Sequence, residues 1–107
     1  MYTPNNFRAM ETNKSMALSN FKEAAIKVFL NLWFDFEKHA RKLDRDTDDN
    51  VFQQLQGRYI IGLKTELLKN AEICLGGYCG DRNSLRRNLN DQVAQNVSAF
   101  ILRARQL

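Results

Sequence analysis

Residues 24–36 read AAIKVFLNLWFDF, the most apolar stretch of the chain, and contain four aromatic side chains: Phe29, Trp33, Phe34 and Phe36. The polar members of the stretch recur every four residues, at Lys27, Asn31 and Asp35. At about 100° per residue they fall in one narrow sector of an α-helix, and nearly three-quarters of the circumference is apolar. The stretch therefore predicts a helix that must be covered on almost every side.

The composition is that of an ordinary globular protein, with 107 residues, 44% hydrophobic and 26% charged. Such a chain forms one domain and buries roughly 60 to 70% of its unfolded surface without metals or disulfides. No apolar run is long enough for a membrane span, and residues 1–20 lack the apolar core of a secretory signal. We therefore expect a cytoplasmic protein.

Helical periodicity predicts an N-terminal arm followed by three long helices. Residues 1–18 have weak periodicity, which predicts a flexible or partly helical arm, and residues 19–107 are predicted to form a single helical-bundle domain. Asn20 and Glu23 have the spacing of an N-cap and its partner, which predicts a first helix from Phe21 to about Leu43.

Two further helices follow the acidic run at residues 44–50. The second is expected from about Val51, capped by Thr47 or Asp48, to Leu75, where Gly76 and Gly77 supply a left-handed terminus. The third is expected from a cap at Asn83 or Ser84 to near the C-terminus. Gly57 and Gly62 lie inside the second helix and predict a close helix crossing.

Short connections force these helices to lie antiparallel, so the sequence predicts an all-α, antiparallel three-helix bundle, or four helices if the arm adds a short one. The first two helices carry more apolar surface than such a bundle needs, which predicts a homodimer or a helical protein partner. Buried aromatic side chains dominate the energetics of interfaces. The predicted interface residues are Phe29, Trp33, Phe34, Phe36, Ile61 and Leu68.

Patterns typical of catalysis or metal binding are absent from the sequence. Cys74 and Cys79 have neither a redox nor a zinc spacing and are predicted to be free thiols. Asp44, Asp46 and Asp48 resemble the opening of an EF-hand calcium loop, but the glycine and the bidentate glutamate of that motif are missing. We therefore predict no catalytic residue, no metal, no cofactor and no small-molecule substrate.

Residues 39–43, HARKL, resemble the phosphorylated region of histidine phosphotransfer domains, in which an exposed histidine precedes a basic residue and a glycine. Leu43 stands where that glycine would fall. The resemblance implies that His39, the single histidine of the chain, would carry the phosphoryl group. A histidine phosphotransfer-like protein is the least favoured of the functional hypotheses.

Nucleic-acid binding is the main alternative, because the chain has a net charge of +4 and three arginines at the start of the third helix, Arg82, Arg86 and Arg87. The basic residues of this helix form no continuous ridge, since Asp91 and Ser98 lie between Arg87 and Arg105. The favoured hypothesis is therefore a small non-enzymatic helical protein that acts through protein–protein interaction, as an adaptor, chaperone, immunity-type or regulatory protein.

Overall fold

The computed structural model describes the backbone of residues 3–107 and the side chains of residues 14–107. It is 84% helical. The three helices are α1 (Thr3–Ala40), α2 (Asp49–Gly76) and α3 (Arg82–Arg105), and residues 3–107 contain no strand. The predicted all-α fold with three helices is confirmed.

Contacts at both ends of the molecule define the directions of the helices. At one end Lys14 Nζ donates a hydrogen bond of 2.7 Å to Ser84 Oγ, and at the other Arg45 Nη1 donates one of 3.2 Å to the Leu107 carbonyl oxygen. α1 and α3 therefore run parallel, with α2 antiparallel to both, and each helix packs against the other two. The molecule is long and thin, measuring 69 × 18 × 18 Å.

α1 is longer than predicted. Asn20 does not cap a helix that starts at Phe21, because the helix runs unbroken from Thr3 and Asn20 is an exposed position within it. Residues 5–40 contain no glycine or proline to interrupt the helix, and Ala17 and Leu18 pack against the core beside Phe21. Residues 3–18 thus extend α1 and do not form a separate fourth helix. The rest of the predicted arm, Met1 and Tyr2, lies outside the described residues.

The ends of α2 and α3 correct two predictions. α2 ends at Gly76 as expected, but Gly77 has φ −92° and ψ 0°, so the predicted left-handed terminus is wrong. Asp81 caps α3 in place of Asn83 or Ser84, since its carboxylate accepts hydrogen bonds from the backbone N–H groups of both residues. An aspartate at the N-cap also places negative charge at the positive end of the helix dipole.

The acidic run between α1 and α2 folds as a turn held by its own carboxylates. Asp44 Oδ1 accepts from the Asp46 N–H at 2.9 Å, and Asp48 Oδ2 accepts from the Asp44 N–H at 3.0 Å. Asp48 therefore occupies the N-cap position of α2 without capping that helix through its side chain. Among the described side chains, no group of three His, Cys, Asp or Glu residues is placed to hold a metal ion.

The predicted close helix crossing at Gly57 and Gly62 is wrong, because a Cβ atom added at either position would meet nothing within 4 Å. A close approach occurs instead at Gly80 in the α2–α3 turn. The buried ring of Tyr78 lies where a Cβ atom of residue 80 would stand. Glycine at position 80 thus lets the Tyr78 ring fold back over the turn.

The core has an aromatic half and an aliphatic half. In the aromatic half Phe36 lies at the centre, with ring centroids 5.3 to 5.7 Å from those of Trp33, Phe52, Tyr59 and Phe100. Towards the α2–α3 turn the same buried cluster continues with Phe21 and aliphatic side chains. The aliphatic members are Leu63, Leu67, Ala71, Leu75, Leu85, Leu89 and Val93. The aromatic half fixes which flank of α1 faces each neighbouring helix.

Candidate functional site

The structure divides the predicted interface residues into two groups. Trp33 and Phe36 are 1% and 0% exposed and belong to the core of the chain itself, so the prediction that they anchor an interface is wrong. Phe29 is half-buried, with its ring 5.6 Å from that of Phe100. The other three predicted residues, Phe34, Ile61 and Leu68, lie exposed on the surface.

Phe34 belongs to a line of exposed apolar side chains on α1, which we call the α1 row: Ile26, Leu30 and Phe34, with exposures of 58%, 36% and 58%. The spacing of four residues places them along one side of the helix. Trp33, about 60° around the helix from Leu30, packs against Phe100 of α3 at a centroid distance of 5.2 Å. The row therefore lies on the α3 side of α1, turned towards solvent. The sequence analysis did not predict Ile26 and Leu30 as interface residues, although their spacing of four residues from one another and from Phe34 can be read from the sequence.

Leu68 lines a second apolar surface, a groove between α2 and α3 with a volume of about 430 Å³. The residues of this α2–α3 groove are Lys64, Leu68, Asn90, Val93, Ala94, Val97 and Ser98. Ile61, which is 68% exposed, precedes Leu68 by seven residues and so extends the same side of α2 by two turns. Sequence reasoning identified the α2 side of this groove but assigned it to the same interface as the α1 row.

A polar cluster joins α1 to α2 on another face. The Tyr59 hydroxyl donates a hydrogen bond to Asp35 Oδ2, and His39 Nε2 lies 3.7 Å from Asp35 Oδ1. The His39 side chain is 48% exposed. Partial burial, together with the hydrogen bond and the negative charge of Asp35, raises the pKa of Tyr59 to about 12. Asp35 thereby links His39 of its own helix to Tyr59 of α2.

The raised pKa of Tyr59 predicts a loss of stability at alkaline pH. The phenol of Tyr59 holds its proton more tightly in the folded protein than in the unfolded chain. Its contribution to the free energy of unfolding is therefore complete below pH 10.0, the ordinary pKa, and is lost as the pH rises to about 12. We expect the free energy of unfolding to fall across this window, and to fall less in Tyr59→Phe. Urea unfolding at several pH values in that window tests this, and equal declines in the two proteins would contradict it.

The two thiols lie near the α2–α3 turn and both are free, Cys79 exposed and Cys74 partly buried. Burial raises the pKa of the Cys74 thiol, which makes it a weaker nucleophile at neutral pH. The prediction of free thiols agrees with this arrangement.

The predicted nucleic-acid residues Arg82, Arg86 and Arg87 are exposed within the first two turns of α3. Between the described side chains the ion pairs are His39–Asp35, Arg41–Glu37 and Lys69–Glu66. The three arginines therefore form no ion pair with a carboxylate of residues 14–107.

No protein-family model, curated protein or solved structure matches the chain. Within the described residues, no helix combines the length and the apolar character that a membrane span requires. The class that the fold defines is an all-α protein whose described residues form three helices and expose apolar surfaces that include the α1 row and the α2–α3 groove.

Proposed function

We propose that this protein is non-enzymatic, acts through protein–protein interaction, and forms a homodimer through the α1 row. The observation that carries the proposal is the alignment of Ile26, Leu30 and Phe34 as exposed apolar side chains on one side of one helix. Exposed apolar patches of this kind are typical of interaction sites.

The α1 row is suited to pairing with a copy of itself. In an antiparallel pair related by a two-fold axis at Leu30, the two Leu30 side chains meet, and Ile26 of each copy lies opposite Phe34 of the other. Such an isologous contact uses one patch twice and closes after two subunits. The row spans eight residues, about 12 Å of helix, so a dimer would draw further contacts from its margins and from the neighbouring side of α3.

The alternative functions receive less support from the geometry. His39 lies beside the Asp35 carboxylate, and of the three arginines only Arg86 and Arg87 stand within about one helical turn of the α2–α3 groove, before Asn90. A partner-binding protein uses the α1 row and the α2–α3 groove, whereas an enzyme built around His39 would use neither of them.

The dimer is tested by light scattering during size exclusion. The wild-type protein should have twice the chain mass of 12.4 kDa, and Ile26→Ser/Phe34→Ser should be a folded monomer because both positions are exposed. Ile73→Ser is the matched control, since Ile73 is 73% exposed on α2, away from the row.

Circular dichroism on all three proteins confirms that the helices are retained. A monomeric mass for the wild-type protein at about 100 μM would contradict dimerisation, because a dimer with a Kd well below that concentration would be almost fully formed. A dimer that survives in the double variant, or dissociates equally in Ile73→Ser, would show that the α1 row is not the interface.

A further inference from the structure

We propose that the α2–α3 groove binds an acidic amphipathic helix of a partner protein. This surface is separate from the α1 row, so the inference goes beyond the proposed dimer. It concerns a second site and the chemistry of its ligand, and it does not depend on whether the chain dimerises.

The shape of the groove fits a helix. Its floor consists of Leu68 from α2 and of Val93, Ala94 and Val97 from α3, all apolar. From Asn90 to Ser98 the groove follows α3 for about 12 Å, or somewhat over two helical turns. In a four-helix bundle a further helix packs into the groove between two antiparallel helices, and α2 and α3 leave such a groove open. A helix with apolar residues at i, i+3, i+4 and i+7 would match this length.

Alanine and serine on the α3 wall leave the groove shallow on that side. Ala94 and Ser98 are both exposed, and their short side chains allow the backbone of a docked helix to approach α3 closely. Ile61, exposed seven residues before Leu68, would contact the next turn of the same helix. The apolar contact thus runs along α2 beyond the groove itself.

The charge around the groove selects an acidic ligand. Lys64 is the charged residue of its lining. On the flanking stretches of α2 (residues 58–72) and α3 (residues 86–105), exposed cations outnumber exposed acids by seven to three. Lys69 and Glu66 pair with each other, and Arg103 lies over the Trp33 ring. The remaining exposed charges are Arg58, Lys64, Arg86, Arg87 and Arg105, against Glu72 and Asp91. None of these five cations takes part in an ion pair between described side chains. Carboxylates on the flanks of a docked helix would pair with them and steer association.

An acidic helix fits this site better than a nucleic acid does. Phosphate groups bind cations well, but they would leave Leu68, Ala94 and Val97 in contact with water or with a charged backbone. An amphipathic helix covers the apolar floor and meets the cations with the same surface. Apolar residues in the centre with charges at the rim are the usual anatomy of a protein interface.

The test uses a synthetic helical peptide of four turns that carries leucine at i, i+3, i+4 and i+7 and glutamate on both flanks. A second peptide with lysine in place of each glutamate is the control. Fluorescence anisotropy of the labelled peptides should show that the acidic peptide binds the wild-type protein about ten-fold more tightly or better, and that its binding weakens with added salt.

Two variants locate the binding site. Leu68→Asp should weaken binding of the acidic peptide about ten-fold or more, because it places a charge in the apolar floor and repels glutamate. Lys64→Glu, at an exposed position, should weaken binding in the same direction without touching the core. Val51→Asp is the control, because Val51 is 50% exposed in the first turn of α2, far from Leu68, and should change the affinity less than about two-fold.

Besides a change of mass in Leu68→Asp, four outcomes of the binding measurements would overturn the proposal. They are absence of saturable binding of the acidic peptide, equal affinity for the lysine peptide, an affinity unchanged by both Leu68→Asp and Lys64→Glu, and tighter binding of a labelled 20-nucleotide single-stranded DNA than of the acidic peptide. The last result would assign the cations to nucleic-acid recognition. Light scattering of Leu68→Asp separates this site from the dimer, because the variant should keep the wild-type mass. A change of mass would show that a second copy covers the groove.

Discussion

Replacing Phe36 with alanine should lower the free energy of unfolding by about 3 to 5 kcal/mol. Phe36 is fully buried and its ring contacts four other aromatic rings, from all three helices. The substitution removes the apolar transfer energy of the ring and leaves a cavity that the surrounding rigid rings cannot close. Urea unfolding followed by circular dichroism at 222 nm measures the change.

Phe34→Ala is the matched control, two residues away on the same helix. Its side chain is 58% exposed, so the same chemical change should alter the stability of the isolated chain by less than about 1 kcal/mol. If the protein dimerises through the α1 row, the comparison belongs at a concentration where both proteins are monomeric. Equal losses at the two positions would contradict the assignment of Phe36 to the core.

Replacing Leu67 with alanine should lower the free energy of unfolding by about 2 to 5 kcal/mol. Leu67 is 0% exposed in the aliphatic half of the core, where it packs in the cluster that includes Leu63, Leu85 and Leu89. These residues come from α2 and α3, so the cavity would loosen the contact between the two helices that form the α2–α3 groove. Thermal or urea unfolding measures the effect.

The adjacent residue supplies the control for this prediction as well. Leu68 is 39% exposed, and Leu68→Ala should cost about 1 kcal/mol or less because little of its contact area is lost. A larger loss at Leu68 than at Leu67 would mean that α2 is rotated about its axis from the orientation described. It would remove the basis of the groove at the same time.

The helices themselves were largely predictable. The polar run at residues 44–50 and the glycines at 76 and 77 mark the breaks between them. The apolar periodicity is regular enough to identify α2 within two residues at each end and to place the start of α3 within three residues. The start of α1 was not predictable in this way. Asn20 and Glu23 match a capping pattern, but an N-cap stabilises a helix by only about 1 kcal/mol. Extending α1 through residues 3–20 lets Ala17 and Leu18 pack against the core, and this packing outweighs the cap.

The candidate surfaces could be predicted only in part. Phe34, Ile61 and Leu68 were identified as surplus apolar residues, and the structure does expose them. Trp33 and Phe36 were grouped with them because the stretch around them is apolar almost all the way round. Such a helix has no clear polar face to show which way it points, so sequence spacing alone could not separate its core residues from its exposed ones.

The sequence by itself determined that this protein is three helices with an excess of apolar surface, because helix periodicity and helix-breaking residues are local properties of the chain. Only the tertiary structure decided which side of each helix is covered. Packing Phe36 against Phe52, Tyr59 and Phe100 fixes the rotation of α1, and that rotation turns Ile26, Leu30 and Phe34 outward. The position of the groove likewise depends on how α2 and α3 meet. Contacts between residues far apart in the sequence set these rotations, since each helix alone could turn any of several apolar flanks inward.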